Sequence, residues 1–264
     1  MGVALAVLTG RALAGIAPLN SKTFNAVYRG EVLLDTGEVV RGFIKDLDAR
    51  QLASELLVAV LGSRLDVRVP RGVLVAIGTD VSTAFHQLPH GNGRDHVAFC
   101  SVDAGGSTIA QIISSPDRVS SLTSLKASPG LGRMYGLDTW VANTDRHMNN
   151  IVLSGDGYAY LIDHGHCLTG PNWTAADLDS TARYTDKLRF WLTPRLTVEE
   201  RNQAMADVNG LVGRMASTDV QETVTEALIE QLCGADDSDA VVGFLEGRVG
   251  QVSTMSAHSL DVLL

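Results

Sequence analysis

Apolar and polar residues alternate in short runs over the first hundred residues and follow longer, helical patterns beyond residue 195. Residues 24–47, FNAVYRGEVLLDTGEVVRGFIKDL, hold two β-rich runs on either side of Asp35-Thr36-Gly37, which is typical of a β-hairpin. Two further runs, VRVPRGVLVAIG and DHVAFCSVDAG, also have the composition of strands. The first part of the chain is therefore predicted to be rich in strands.

One helix is predicted between these strands. Asp48 has a carboxylate suited to an N-cap, and the next segment, ARQLASELLVAVLGSRL, repeats apolar residues at helical spacing, at Leu52, Leu56, Ala59 and Val60. Glu55 lies between Leu52 and Ala59, at the border of this apolar stripe. Its carboxylate is therefore expected to face inward.

Helical patterns dominate the end of the chain. Thr197 and Glu200 have the spacing of a capping box, and the segments after them are RNQAMADVNGLVGRMA, DVQETVTEALIEQLCG and DAVVGFLEGRVGQV. The order of these elements predicts an α+β chain with two parts. Residues 1–104 are expected to form an antiparallel sheet with one helix, and residues 105–264 a larger, mostly helical part.

Charge and cysteine content narrow the class of protein. The 264 residues carry a net charge of −9, and nucleic-acid binding needs clustered Lys and Arg, so we expect no direct contact with nucleic acid. Cys100, Cys167 and Cys233 are widely spaced and form no Cys-x-x-Cys pair. This spacing argues against a disulfide framework or a zinc knuckle and favours the cytoplasm.

The N-terminal segment MGVALAVLTGRALAGIAPL is apolar, lacks a basic start and is interrupted by Arg11. It is too short to cross a bilayer, so no membrane span is expected. We interpret it as one or two strands, with a cleaved signal peptide as the alternative.

Reactive side chains are concentrated in residues 143–166, NTDRHMNNIVLSGDGYAYLIDHGH. Asp145 and Asn150 have the Asp-x-x-x-x-Asn spacing of a kinase catalytic loop, and Asp163 closes the second of two short apolar runs. The Gly-Asp-Gly turn between the runs predicts a hairpin that brings Asn150 and Asp163 side by side. Phosphoryl transfer uses one carboxylate for the acceptor hydroxyl, and an amide oxygen and a second carboxylate for Mg²⁺.

Such a site also needs a cation in the strand-rich part of the chain. Lys45 ends the predicted strand EVVRGFIK. An inward-facing Glu55 requires a cation, and Lys45 is the natural candidate. The alternative for Lys45 is a solvated strand end.

Three further residues of the segment 143–166, namely Arg146, His164 and His166, each have two interpretations. For Arg146, a salt bridge within its own loop is favoured over a contact with substrate. His164 and His166 are interpreted as packing residues or as supports for the site, and a zinc site built on His-x-His is the alternative.

The motifs NTDRHMNN and YLIDHGH together resemble the catalytic core of the HipA-like kinases and, beyond them, the phosphatidylinositol 3-/4-kinase relatives. The likeness is closest to the short HipA-like type, in which a Leu-x-Val-Pro-like strand, here RLDVRVPRGVLV, follows the helix with Glu. It covers about residues 20–170 and, more loosely, the C-terminal helices. It implies a two-lobed protein-kinase-like fold that binds ATP and Mg²⁺, with a small strand-rich N-lobe and a larger helical C-lobe.

The resemblance also implies roles for the residues of the loop and hairpin. By position, Asp145 is the expected catalytic base, and His147 is a secondary candidate for proton handling. Asn150 and Asp163 are the expected metal ligands.

In the strand-rich part, the resemblance implies that Lys45 contacts the α- and β-phosphates of ATP and that Glu55 is its ion-pair partner. No G-x-G-x-x-G loop precedes Lys45. The equivalent turn is PLNSKTFNAV, in which Asn20, Ser21 and Lys22 are candidates for phosphate contacts. Asp-His-Gly replaces Asp-Phe-Gly and no Ala-Pro-Glu follows, so an activation loop is not assumed.

The adenine side of the site is assigned from the order of the elements. AFCSVDAGG is the last predicted strand before the helical part and is the expected connector. Main-chain groups from Phe99 to Ser101 are expected to hydrogen-bond adenine, and Asp103 is expected near the ribose.

Together these features predict an ATP- and Mg²⁺-dependent phosphotransferase of HipA-like type that acts on Ser or Thr of a protein. One alternative keeps the fold and changes the acceptor to a lipid or small molecule. Another is a nucleotide-binding pseudokinase that acts through protein contacts. The complete Lys, Glu, Asp, Asn, Asp set argues against a pseudokinase, and the lack of a basic amphipathic helix argues against a lipid acceptor.

Overall fold

The computed structural model describes residues 7–19, 26–78, 96–114 and 118–263. Its first part is a β-barrel. The strands are β1 Leu8–Ala12, β2 Ala17–Pro18, β3 Val27–Leu34, β4 Val39–Lys45, β5 Gly72–Ile77 and β6 His96–Val102. Five of them follow the order β1-β5-β6-β4-β3, and β2 pairs with Tyr28 and Arg29 at the start of β3.

Strand β1 closes the barrel because it pairs on both of its edges. It runs parallel to β5, with Leu8 opposite Val73, and antiparallel to β3, with Gly10 opposite Leu34. A side chain at Gly10 would lie 2.5 Å from the carbonyl oxygen of Leu33, so glycine permits this close approach. Alternate residues point inward and fill the interior, including Tyr28, Val32, Ile44, Val75 and Cys100.

Helix α1, Ala49–Leu65, connects the barrel to the helical region. Asp48 caps it as predicted, since its carboxylate accepts a hydrogen bond from the Gln51 N–H at 2.9 Å. Thirteen of its 17 residues are buried, which is typical of a helix covered on all sides. One side packs on β5 and β6, and another packs on helices near the C-terminus.

The helical region follows the barrel in the chain. Its helices are α2 Ile109–Ile113, α3 Arg118–Ala127, α4 Leu131–Trp140, α5 Leu188–Trp191, α6 Val198–Ser217, α7 Val220–Glu226, α8 Ile229–Cys233, α9 Ala235–Val249 and α10 Val252–Leu260. The capping box predicted at Thr197 and Glu200 is confirmed at the start of α6. None of the helices in the described ranges is both long and apolar enough to cross a bilayer.

A second, small sheet carries the polar segment singled out in the sequence. It consists of β7 Gly106–Thr108, β8 Ile151–Ser154 and β9 Ala159–Leu161, in the order β7-β8-β9. Ile151 pairs with Leu161 across the hairpin, and Gly157 in its turn has a φ of +82°, which favours glycine. The predicted hairpin is confirmed.

The two-lobed protein-kinase-like fold, with a separate strand-rich lobe and a helical lobe, is wrong. The chain is α+β, 47% helical and 20% strand, with a closed five-strand β-barrel and a helical region. The antiparallel sheet predicted for residues 1–104 closes on itself and contains one parallel pair, β1 with β5. In addition, one apolar core runs from Val7 through Leu56 of α1 to Leu260 of α10.

Candidate functional site

A cleft of about 790 Å³ lies between the barrel and the polar segment. Seven of the twelve predicted site residues line it: Lys45, Ser101, Asp103, Asp145, His147, Asn150 and Asp163. Glu55 and Phe99 lie buried behind Lys45. Asn20, Ser21 and Lys22 lie outside the described residues.

Lys45 joins three elements at the wall of this cleft. Its Nζ lies 2.6 Å from Glu55 Oε1 on α1 and 3.2 Å from Asp163 Oδ1 in the loop after β9. The ring of Phe99 lies beneath the ammonium group, with its centroid 5.9 Å away. The Lys45–Glu55 pair predicted from the sequence is therefore formed, and it is buried.

Lys45 and Glu55 keep each other ionised although both side chains are buried. Burial alone would raise the pKa of Glu55, but the Lys45 ammonium and a hydrogen bond from His164 outweigh it and lower that pKa. Burial alone would lower the pKa of Lys45, but Glu55 and Asp163 outweigh it and raise that pKa. The pair therefore contributes fully to stability between the ordinary pKa values, 4.5 for Glu and 10.5 for Lys.

His164 supports the second oxygen of the Glu55 carboxylate. Its Nδ1 lies 3.4 Å from Glu55 Oε2, and both side chains are 2% exposed. Burial lowers the pKa of His164 more than Glu55 raises it, so the imidazole is neutral at pH 7. A neutral ring can donate from Nδ1 to the carboxylate. His164 is thus a support for Lys45 and Glu55, as one of its interpretations predicted.

Arg146 fixes the loop that precedes the hairpin. Its guanidinium is fully buried and donates to both carboxylate oxygens of Asp138, at 2.8 and 2.9 Å. Its Nη1 also donates to the carbonyl oxygens of Asn150, at 2.9 Å, and Ile162, at 2.7 Å. The predicted structural salt bridge is formed, but not within the loop of Arg146 as expected, because the partner Asp138 lies on α4.

The hairpin brings Asn150 beside the segment that carries Asp163. The N–H of Ile162 donates to the carbonyl oxygen of Asn150 at 3.1 Å. The Nδ2 of Asn150 donates to the carbonyl oxygen of Asp145 at 2.9 Å, and this hydrogen bond leaves Oδ1 free of that contact. Asp163 has a φ of +61°, which only a few per cent of non-glycine residues adopt.

The amide oxygen of Asn150 and the carboxylate of Asp163 are groups of the kind that magnesium prefers over zinc. Mg²⁺ is bound through one or two protein oxygens together with water and phosphate oxygens, whereas Zn²⁺ sites use three or four protein ligands. In the described ranges, no group of three or more His, Cys, Asp or Glu side chains is arranged to hold a metal. The structure also argues against the zinc alternative for His164, because the Nδ1 of its ring lies beside the carboxylate of Glu55.

Asp145 has a partner that the sequence did not reveal. The Nζ of Lys187 contacts Asp145 Oδ1, and the Nε2 of His147 lies 3.6 Å from Asp145 Oδ2. Trp191, on α5, donates from Nε1 to the carbonyl oxygen of Arg146 at 3.1 Å. Because of these contacts, the segment that carries Lys187 and α5 lies against the loop that carries Asp145 and Arg146.

The predicted connector also contributes to the cleft. Ser101 and Asp103 line it, and Arg29 donates to Asp103 Oδ2 at 3.1 Å. Phe99 is not among the described residues that line the cleft. It pairs with Lys45 on one side and Leu74 on the other, within the barrel ladders.

Two further residues of the cleft wall were missed. Phe43 precedes Lys45 by two positions and shares its face of β4, and Arg29 pairs with Phe43 across β3 and β4. Alternation along EVVRGFIK was the available signal, because it places Phe43 on the same face as Lys45.

Comparisons of the sequence with protein families and with curated proteins find no match.

Proposed function

We propose that this protein is a phosphotransferase that moves the γ-phosphoryl group of ATP to a hydroxyl group, with Mg²⁺ as cofactor. The proposed acceptor is Ser or Thr of a protein. The strongest support is the position of Lys45 Nζ, 2.6 Å from Glu55 and 3.2 Å from Asp163, on the cleft that Asp145 and Asn150 also line. Cation, amide and carboxylates are the groups that phosphoryl transfer uses.

The charges of the site suit a nucleotide triphosphate. Lys45 is held ionised by two carboxylates and can offset the negative charge of the α- and β-phosphates. Asn150 and Asp163 would hold Mg²⁺, which supplies positive charge against the phosphates when bound. The cleft volume of about 790 Å³ lies within the range of small-molecule and cofactor sites.

Asp145 can act on the acceptor. Its carboxylate accepts the proton of the attacking hydroxyl as the oxygen forms a bond to the γ-phosphorus. The bond from that phosphorus to the bridging oxygen breaks, and its electron pair leaves with ADP. Lys187 and the loop clamped by Arg146 hold the carboxylate in place during this step.

The proposed location is the cytoplasm. Cys100, Cys167 and Cys233 are all free thiols, and the first two are buried. Free thiols are typical of a reducing compartment.

An assay with γ-labelled ATP, Mg²⁺ and a cell extract tests the proposal and the acceptor class together. We expect label in the protein fraction, recovered after acid hydrolysis as phosphoserine or phosphothreonine. Label only in extracted lipid would change the acceptor. Binding of ATP without any label transfer would leave a nucleotide-binding pseudokinase and contradict the proposal.

A further inference from the structure

Residues 181–198 form a basic segment beside the site, on a chain whose net charge is −9. The segment contains four basic residues and one acidic residue, Asp186. That carboxylate faces inward, where Oδ1 accepts the Leu188 N–H at 2.9 Å and Oδ2 is buried. The positive charge of the segment is therefore not offset at the surface by its own acid.

Three guanidinium groups of this surface lack a carboxylate partner. The ion pairs formed within the described ranges involve other arginines and leave out Arg183, Arg189 and Arg195. Arg183 and Arg195 are exposed, Arg195 donates to the carbonyl oxygen of Trp191, and Arg189 contacts the ring of His258 on α10. Basic groups whose charge no carboxylate offsets favour the approach of an anion.

An exposed aromatic residue lies within the same surface. Phe190 is 69% exposed, the largest exposure of any aromatic residue in the described ranges. It is located on α5, next to Arg189 and one position before Trp191. Exposed aromatic side chains beside arginine are a typical feature of protein-binding surfaces.

The surface adjoins the residue that would meet the acceptor. Lys187 contacts Asp145, and Arg189 and Phe190 follow within the next helical turn. Trp191 anchors this turn to the main chain of Arg146. A polypeptide bound over α5 would therefore lie close to Asp145.

We propose that an acidic segment of the acceptor protein binds this acceptor face, which is formed by Arg183, Lys187, Arg189, Phe190, Arg195 and His258. Carboxylates near the phosphorylated Ser or Thr bind the arginines, and an apolar side chain contacts Phe190. This substrate class rests on the proposed phosphotransfer. A peptide is favoured over an anionic membrane because the segment has only four basic residues and the chain as a whole has a net charge of −9.

Fluorescence anisotropy with the full-length protein tests the acceptor face without requiring catalysis. One labelled peptide has a central Ser flanked by Glu and a Phe, and its matched peptide has Gln in place of every Glu. We expect the acidic peptide to bind about tenfold more tightly, and more weakly at high salt. Arg189→Glu and Arg195→Glu should each lower that affinity about tenfold. Arg11→Glu, on β1, is the control and should bind like the wild type.

The proposed acceptor face would be wrong if both peptides bound with equal affinity. It would also be wrong if neither Arg189→Glu nor Arg195→Glu weakened binding of the acidic peptide. Binding of phosphatidylserine vesicles in preference to the acidic peptide would overturn it as well. Label transfer from γ-labelled ATP is measured on the same samples and reports separately on the proposed function. Tight binding of the acidic peptide without label transfer supports the acceptor face and contradicts phosphotransfer. Equal label transfer to both peptides supports phosphotransfer and contradicts the acceptor face.

Discussion

His164 Nδ1 lies 3.4 Å from Glu55 Oε2, while Lys45 Nζ lies 2.6 Å from the other oxygen of the same carboxylate. Glu55 is therefore held by a strand of the barrel and by the loop after β9. Removal of either partner leaves a buried polar group unsatisfied. The buried packing of these groups thus fixes where Lys45 stands relative to Asp163.

Lys45→Met should lower the free energy of unfolding by about 3–5 kcal/mol, because it leaves the Glu55 carboxylate buried without its cation. Phosphotransfer should be lost as well. The double variant Lys45→Met with Glu55→Gln removes the unpaired charge and should recover most of the stability but none of the activity. Urea denaturation and label transfer measure the two effects. Activity in the double variant would show that Lys45 has no role in phosphotransfer.

Arg146→Lys should lower the free energy of unfolding by roughly 2–4 kcal/mol, because lysine cannot reproduce the bidentate bond to Asp138 and also reach both main-chain oxygens. Arg41→Lys is the matched control, since its exposed pair with Glu31 contributes less than about 1 kcal/mol. Both are measured by urea denaturation. Equal effects of the two substitutions would contradict the clamp assigned to Arg146.

Lys187→Met should lower kcat by about 10²-fold. The substitution removes the cation that holds the Asp145 carboxylate, and a carboxylate that is not held in position accepts the proton of the hydroxyl more slowly. Lys187→Arg retains a cation and should recover part of that loss. Steady-state kinetics separate kcat from KM. A raised KM for ATP with an unchanged kcat would assign Lys187 to nucleotide binding.

Asp186→Asn should stabilise the protein at pH 8 by about 1–3 kcal/mol and have little effect near pH 4. Burial and the neighbouring charge of Asp138 raise the pKa of Asp186 from 3.8 to about 6. Between these values the folded state binds the proton more tightly, so the contribution of Asp186 to stability falls as the pH rises and stays low above pH 6. Urea denaturation at both pH values measures the difference. A stabilisation that does not change with pH would contradict the raised pKa.

Local features of the site could be predicted from the sequence because short-range chemistry decides them. The Gly-Asp-Gly turn fixes the register of Ile151 and Leu161, and Asp48 caps α1 through the N–H three residues later. Glu55 could be paired with Lys45 because a carboxylate at the edge of an apolar stripe requires a cation.

The architecture could not be predicted in the same way, since alternation along a strand does not reveal which strands become neighbours. Closure of the barrel depends on the pairing of β1 with both β3 and β5. These strands are distant from β1 in the sequence, and local residue patterns do not predict such pairings. Lys187 was missed for a similar reason, because 42 residues separate it from Asp145. Helix α1 also has apolar residues around most of its circumference, which a single stripe did not indicate.

Transfer of label from γ-labelled ATP to a protein acceptor, measured with purified wild type and two aspartate variants, decides whether Asp145 serves phosphotransfer. The wild type should transfer label in the presence of Mg²⁺, and Asp145→Ala should lower the rate by roughly 10²-fold or more. Asp156→Ala, in the exposed turn of the same hairpin, should transfer label like the wild type. Equal rates for wild type and Asp145→Ala, or no transfer by the wild type, would contradict the account.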